Sequence, residues 1–275
     1  MSPSTEDIKP WIALSIGNSR LHWFYYEGSN LVQTWDTCHM EISQTRSPST
    51  WEEWQAYSPA MAHCSSKVTM PELWVISVVP SQTCIWQTYP QSIVITATDI
   101  PIQYPYETFG LDRALSIWTA GTLHQWPILV IDAGTALTYT GATSSTNCVG
   151  GAILPGLGLQ LRSLSQSTAA LPTIALPQNL PNRWSLTTDV AIQSGILHTL
   201  VSGMIDFISA WLKQYPTSQI VLTGGDSETL YRYLLQASKP KAVQKLLDRV
   251  ILQPQLQGIG LLHLRQQKGD RSLHF

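Results

Sequence analysis

The chain has 275 residues, a formal net charge of −2 and only 12% charged side chains, against about a quarter in an ordinary soluble chain. That length admits one large or two compact domains. The charge supplies no basic field to gather nucleic acid or an acidic membrane surface, and the shortage of charge fits a surface partly covered by a second chain. Cys38, Cys64, Cys84 and Cys148 are scattered without a CxxC pair, which excludes a standard zinc or redox motif. The polar first ten residues read as a disordered lead and not as a signal peptide; no uninterrupted apolar run reaches membrane-spanning length. The expected location is the cytoplasm.

In chain order, Trp11–Ile16, Arg20–Tyr26 and Leu31–Trp35 read as three strands joined by short turns, an antiparallel meander. Residues 38–70 are weakly patterned, with one helix expected near Trp51–Tyr57. Leu73–Val79 is a continuous apolar strand between Pro71 and Pro80, suited to a central position, and Ser92–Thr96 is another strand. Leu111–His124 has helical spacing. The pattern then restarts. Pro127–Ile131, Thr135–Gly141 and Cys148–Leu154 form a second meander, followed by a long helix over Thr188–Tyr215 and a strand over Gln219–Leu222. A helix from Ser227, a strand at Val250–Leu252 and a last helix from Gln257 follow, with Gly269–Phe275 loose. The repeat predicts two similarly built α/β domains, 11–124 and 125–268, facing each other across a cleft.

The run Ile131-Asp132-Ala133-Gly134-Thr135 carries the most chemistry. A buried strand delivers a carboxylate to a Gly-Thr turn. The glycine lets backbone N–H groups approach phosphate oxygens, the threonine adds a donor, and the aspartate can hold a cation. Taken alone this is also an ordinary hairpin. A second turn, Ser15-Ile16-Gly17-Asn18-Ser19-Arg20, strengthens the polyphosphate reading, because two such turns can grip one ligand from both sides. Phe109-Gly110-Leu111-Asp112-Arg113 opens a helix. Asp112 there is either a plain helix-start residue or a general base beside a cation, accepting the proton of an attacking hydroxyl. The stretch Gly150-Gly151-Ala152-Ile153-Leu154-Pro155-Gly156 holds more glycine than one turn needs, and tight strand-helix packing accounts for some of it. Thr223-Gly224-Gly225-Asp226 ends a strand and opens a helix, with Asp226 as N-cap or the glycines as a flat surface for adenine or ribose. There is no P-loop, GxGxxG or GxSxG signature.

From Trp11 to about His263 the chain resembles the type III pantothenate kinases, of the acetate and sugar kinase, Hsc70 and actin superfamily. The resemblance rests on five ordered motifs: Ile16-Gly17-Asn18-Ser19, Gly110-Leu111-Asp112-Arg113, Asp132-Ala133-Gly134-Thr135, Gly150-Gly151 with Pro155-Gly156, and Thr223-Gly224-Gly225. Thr168-Ala169-Ala170-Leu171-Pro172 and Thr188 also fit. It implies two ribonuclease H-like domains (an actin-like ATPase fold), a homodimer, and ATP-dependent phosphorylation of pantothenate, the first step toward coenzyme A.

Carried over by position, Asp112 is the proton acceptor. Tyr104, Gly110, Leu111, Arg113 and Thr188 contact pantothenate. ATP is met by Ser15, Ile16, Gly17, Asn18, Ser19, Arg20, Leu21 and His22, and by Gly134, Thr135, Gly224 and Gly225. Asp132 binds a monovalent cation, potassium or ammonium, and Mg²⁺ accompanies ATP. Two departures stand out. Ser15 replaces the family's usual aspartate, which helps place Mg²⁺. Tyr104 sits one residue short of the tyrosine expected to line the substrate pocket, with Tyr106 as its competitor. The resemblance leaves two other functions in view: a kinase of another small alcohol, and a non-catalytic ATP-binding descendant such as a transcriptional activator.

Overall fold

Strand β1 (Pro10–Ile16) holds Trp11, Ile12, Ala13 and Leu14 in full burial, so both of its faces are covered and it forms the centre of a sheet. β2 (Leu21–Glu27) and β3 (Asn30–Thr37) fold back beside it as the expected meander. β4 (Glu72–Ser77) and β5 (Ser92–Val94) add on the other side, parallel to β1, after helix α1 (Pro80–Gln87) makes the crossover between them. The order is β3-β2-β1-β4-β5. The computed structural model describes residues 9–41, 48, 50, 53–54, 70–167, 171–237 and 241–272. The expected lead at 1–8, Cys64, Thr168–Ala170 and most of the helix expected over 51–57 lie outside them; Glu53 and Trp54, which are described, are helical.

After helix α2 (Leu111–His124) the same plan recurs. β6 (Ile128–Ala133), β7 (Ala136–Ser144) and β8 (Asn147–Pro155) make the second meander. Helices α3 (Leu157–Ser167) and α4 (Thr188–Gln214) lead to β9 (Gln219–Thr223), and α5 (Ser227–Ala237) and α6 (Lys241–Leu247) lead to β10 (Val250–Leu252). Both β9 and its neighbour β10 run parallel to β6, giving the order β10-β9-β6-β7-β8. Counted from its own first strand, each sheet is 3-2-1-4-5 with only the second strand reversed, the arrangement expected of a ribonuclease H-like domain.

The last helix, α7 (Leu256–Ser272), closes the chain and continues through Gly269, where the sequence reading expected a loose tail. The chain divides into two compact units, 1–102 with 108–119 and 257–275, and 103–107 with 120–256. The final helix, placed by chain order with the second half, thus belongs to the first. Its glycine explains the packing: a Cβ on Gly258 would stand 2.5 Å from the Phe24 ring. Arg265 pairs with Glu72 at 2.9 Å and lies 5.0 Å over the Trp11 ring. Lys268 pairs with Asp99 at 2.8 Å.

The tryptophan-rich composition has a structural destination in the first unit. Trp23, Trp54, Trp86 and Tyr89 are buried together beneath β1 and β4, with Trp23 4.8 Å from Trp86 and Trp54 5.2 Å from Tyr89, both edge-on. The core of the second unit is built by α4, whose Leu197, Leu200, Val201, Met204, Ile208 and Trp211 are buried against the sheet. This helix is long and apolar enough to pass for a membrane span by composition; its buried stripe makes it the central packing helix of the unit. Trp86→Ala empties a fully buried indole site and is expected to cost about 3–5 kcal/mol, read as a lowered urea midpoint.

Candidate active site

The two meanders put the two glycine turns at equivalent places. Ile16 faces Leu21 and Ser15 faces His22 across the first hairpin; Ala133 faces Leu137 and Asp132 faces Thr138 across the second. Ser15 and Asp132 therefore occupy the same position, two residues before the turn glycine. Each glycine N–H closes its own hairpin, Gly17 to the Arg20 carbonyl at 3.0 Å and Gly134 to the Ala136 carbonyl at 3.1 Å.

In the second unit three separate motifs converge. Asp132 is flanked in register by Thr138 on β7 and Thr223 on β9, so a carboxylate and two hydroxyls share one sheet face near the strand ends. Gly156 follows β8 and donates its N–H to the Thr135 carbonyl at 2.9 Å. A Cβ on Gly156 would land on the Gly134 carbonyl oxygen. Gly224 has φ +91°, and a Cβ there would stand 2.5 Å from Asp132 Oδ1 and 2.6 Å from the Ala133 carbonyl carbon. The Asp226 N–H then donates to the Ala133 carbonyl at 2.9 Å, and the Asp226 carbonyl takes the first bond of α5 from Leu230. Gly225 has open space around it, and Thr135 is exposed. The result is backbone packed on backbone beside one carboxylate, with open space at Gly225 and a helix starting at its edge.

The sequence reading named Gly134, Thr135, Gly224, Gly225 and Asp132 for this place but gave Gly156 no site role. The excess of glycine and proline over 150–158 is the only signal, because the hydrogen-bond partner of Gly156, Thr135, lies twenty-one residues upstream.

In the first unit, Gly110 precedes α2 and Asp112 lies in its first turn. The Asp112 side chain folds back, so that Oδ1 accepts the Arg113 N–H at 2.8 Å and lies 2.5 Å from where a Gly110 Cβ would be. The glycine is what allows the carboxylate that position. Burial raises the Asp112 pKa above the ordinary 3.8; the Arg113 N–H bond and the Arg113 charge offset part of that shift. Arg113 is itself buried, its guanidinium 4.7 Å from the Phe109 ring centroid.

The Ser15 hydroxyl is buried and donates to Gln257 Oε1 at the start of α7. Asn18, Ser19 and Arg20 form the exposed tip of their turn. Leu21 is buried and His22 half-buried on β2. In the second unit Tyr104 is half-buried, Tyr106 is 47% exposed, and Thr188 is exposed at the first position of α4.

The sequence profile of the type III pantothenate kinases matches residues 11–210. Two relatives bearing that name are 43% identical over 256 residues in Nostoc sp. (90% of this chain and 91% of the relative) and 40% identical over 232 residues in Synechocystis sp. (84% and 83%). The chain belongs to the type III pantothenate kinase family. It is an ATP-dependent phosphotransferase of coenzyme A biosynthesis, and pantothenate is its acceptor. A solved structure described as a conserved putative Baf family transcriptional activator from Campylobacter jejuni shares the fold, with TM-score 0.58 and 17% identity over 94% of this chain and 99% of that one.

Because Gly224 combines a positive φ with no room for a side chain, Gly224→Ala is expected to cost about 1–3 kcal/mol. Gly225→Ala, in open space, is expected to stay within about 1 kcal/mol of the parent. Paired urea titrations read the difference.

Proposed function

We propose that this chain transfers the γ-phosphoryl group of ATP to the terminal hydroxyl of pantothenate with Asp112 as general base. The observation that carries the reading is the folded-back Asp112 carboxylate, buried beside Arg113 and given its place by Gly110. Burial keeps that carboxylate more basic than an exposed one, which favours proton acceptance as the hydroxyl oxygen attacks phosphorus. Arg113 supplies the fixed positive charge for the pantothenate carboxylate, with Gly110, Leu111, Tyr104 and Thr188 as further substrate contacts. Ionised Asp112 takes the proton, and the bond to the ADP oxygen breaks as the new one forms. Most of the acceleration comes from alignment and from fixed donors around the phosphates.

The peptide groups gathered at Gly134, Gly156 and Gly224, beside the open Gly225 and the exposed Thr135, support ATP-phosphate contacts at this end of the sheet, because backbone N–H groups there are fixed in place. Thr135, Gly225 and the turn from Ser15 to His22 complete the ATP contacts. Asp132, a carboxylate beside those peptide groups, fits a hard monovalent cation such as potassium or ammonium, which would offset phosphate charge. A protein-ligated Mg²⁺ at residue 15 does not fit. The Ser15 hydroxyl is buried against Gln257, and among the described residues no three His, Cys, Asp or Glu side chains gather as a metal cluster.

The enzyme works in the cytoplasm as a homodimer. The exposed Trp184, Leu186 and Phe207 of the second unit support that pairing as apolar surface for a second copy.

Asp112→Asn is expected to lower kcat roughly 10²–10⁴-fold, measured as ADP release with pantothenate as sole acceptor. The same raised pKa fixes two signs. Turnover needs the ionised form, so kcat falls on acidification through a pH above the ordinary carboxylate value. A folded chain that holds the Asp112 proton more tightly than the unfolded one gains stability as pH falls and loses it as pH rises through the folded pKa. At neutral pH, Asp112→Asn is therefore expected to melt no lower than the parent despite its slowed turnover; a melting temperature well below the parent would contradict the burial account.

A further inference from the structure

The Gly17–Arg20 turn has one internal backbone bond, yet it is tied down from outside by two side chains of a neighbouring segment that no motif includes. His39, just beyond β3, has its Nε2 2.8 Å from the Gly17 carbonyl oxygen. A carbonyl only accepts, so this nitrogen carries the proton and the imidazole donates. The segment that carries His39 is itself fixed. Gln82, buried in the first turn of α1, accepts the Met40 N–H at 3.0 Å and donates to the Met40 carbonyl at 2.9 Å. Helix α1 thus holds the exit of β3, and His39 passes that constraint to the turn glycine.

Asp36 acts on the other side. Its Oδ1 accepts Nδ1–H of His22 at 2.8 Å, while Arg20 is a longer 4.0 Å from Oδ2. With Nδ1 so engaged, the His22 Nε2 is turned toward Gly17, 3.8 Å from where a Cβ on that glycine would stand. The His22 bond, with the charges of His22 and Arg20, holds the Asp36 carboxyl below the usual range despite its partial burial. Asp36 is therefore an anion oriented on the imidazole throughout the neutral range.

We propose that His39 and Asp36 are positioning residues for the nucleotide: His39 sets the Gly17 backbone and Asp36 sets the His22 imidazole, so that the turn meets the ATP phosphates already in its bound shape. The inference rests on the reading above that residues 15–22 contact ATP. Its physical basis is preorganisation: a short glycine turn otherwise gives up conformational freedom on binding, and each outside tether removes part of that cost beforehand.

The test is calorimetric titration of the whole protein with ATP in the absence of pantothenate, together with steady-state kinetics. His39→Ala is expected to raise the ATP Kd and KM roughly fivefold to tenfold, the scale of one lost hydrogen bond, with the pantothenate KM unchanged and the thermal midpoint lowered by only about 2–4 °C. His39→Gln, which keeps an N–H within reach, is expected to recover most of the loss. Asp36→Leu is expected to follow His39→Ala, and Asp36→Asn, which keeps an acceptor for Nδ1–H, to stay within about twofold of the parent.

A His39→Ala protein that binds ATP as the parent does overturns the proposal. So does one that loses ATP, pantothenate affinity and thermal midpoint together, since that is a folding defect. A parent that binds ATP but phosphorylates no pantothenate overturns the kinase reading, and the ATP Kd ratio still decides for or against His39. A parent without ATP affinity overturns both.

Discussion

Backbone packed on backbone at the end of the second sheet is the constraint on which the site depends. Gly156 leans on the Gly134 carbonyl, and Gly224 leans on Asp132 and Ala133, with no volume left for a methyl group at either place. The segments carrying Gly156 and Gly224 can close on residues 132–135 only because each brings a residue without a side chain. What they leave is a wall of peptide groups. Such a wall suits an anion with many oxygens, because its partial charges are fixed and cost nothing to reorganise.

The doubled topology makes the two turns comparable residue by residue, and they have diverged. At the equivalent position the second turn has Asp132 and the first has Ser15, whose hydroxyl is spent on Gln257. The first turn instead draws on neighbours from outside its own hairpin, His39 and Asp36, which meet it through hydrogen bonds. One turn carries its charge within its own strand. The other is shaped by its surroundings.

Much of this was legible in the sequence. Both meanders, the long α4 and the strand-turn-helix at Thr223–Asp226 follow from apolar alternation broken by glycine, and the five motifs marked the family. Helix α1 was not foreseen, since Pro80–Gln87 carries little amphipathic pattern and is placed by burial of Ile85 and Trp86 among the aromatic rings. The membership of α7 in the first unit was hidden for another reason: Arg265 with Glu72 and Gly258 with Phe24 are pairings across most of the chain length. Gly156 and His39 escaped in the same way. Spacing reveals residues that act on one strand or one helix, whereas a contact between distant segments leaves only a surplus glycine or an isolated histidine. Within the weakly patterned stretch after β3, Trp54 completes the aromatic core.

The most direct measurement is amide hydrogen exchange of the whole protein with and without a non-hydrolysable ATP analogue. The account predicts slowed exchange over residues 133–136, 156–158 and 224–227, where we propose that the phosphates bind, together with 17–20. Saturating analogue that leaves those amides exchanging as in the free protein, with protection elsewhere, would contradict it.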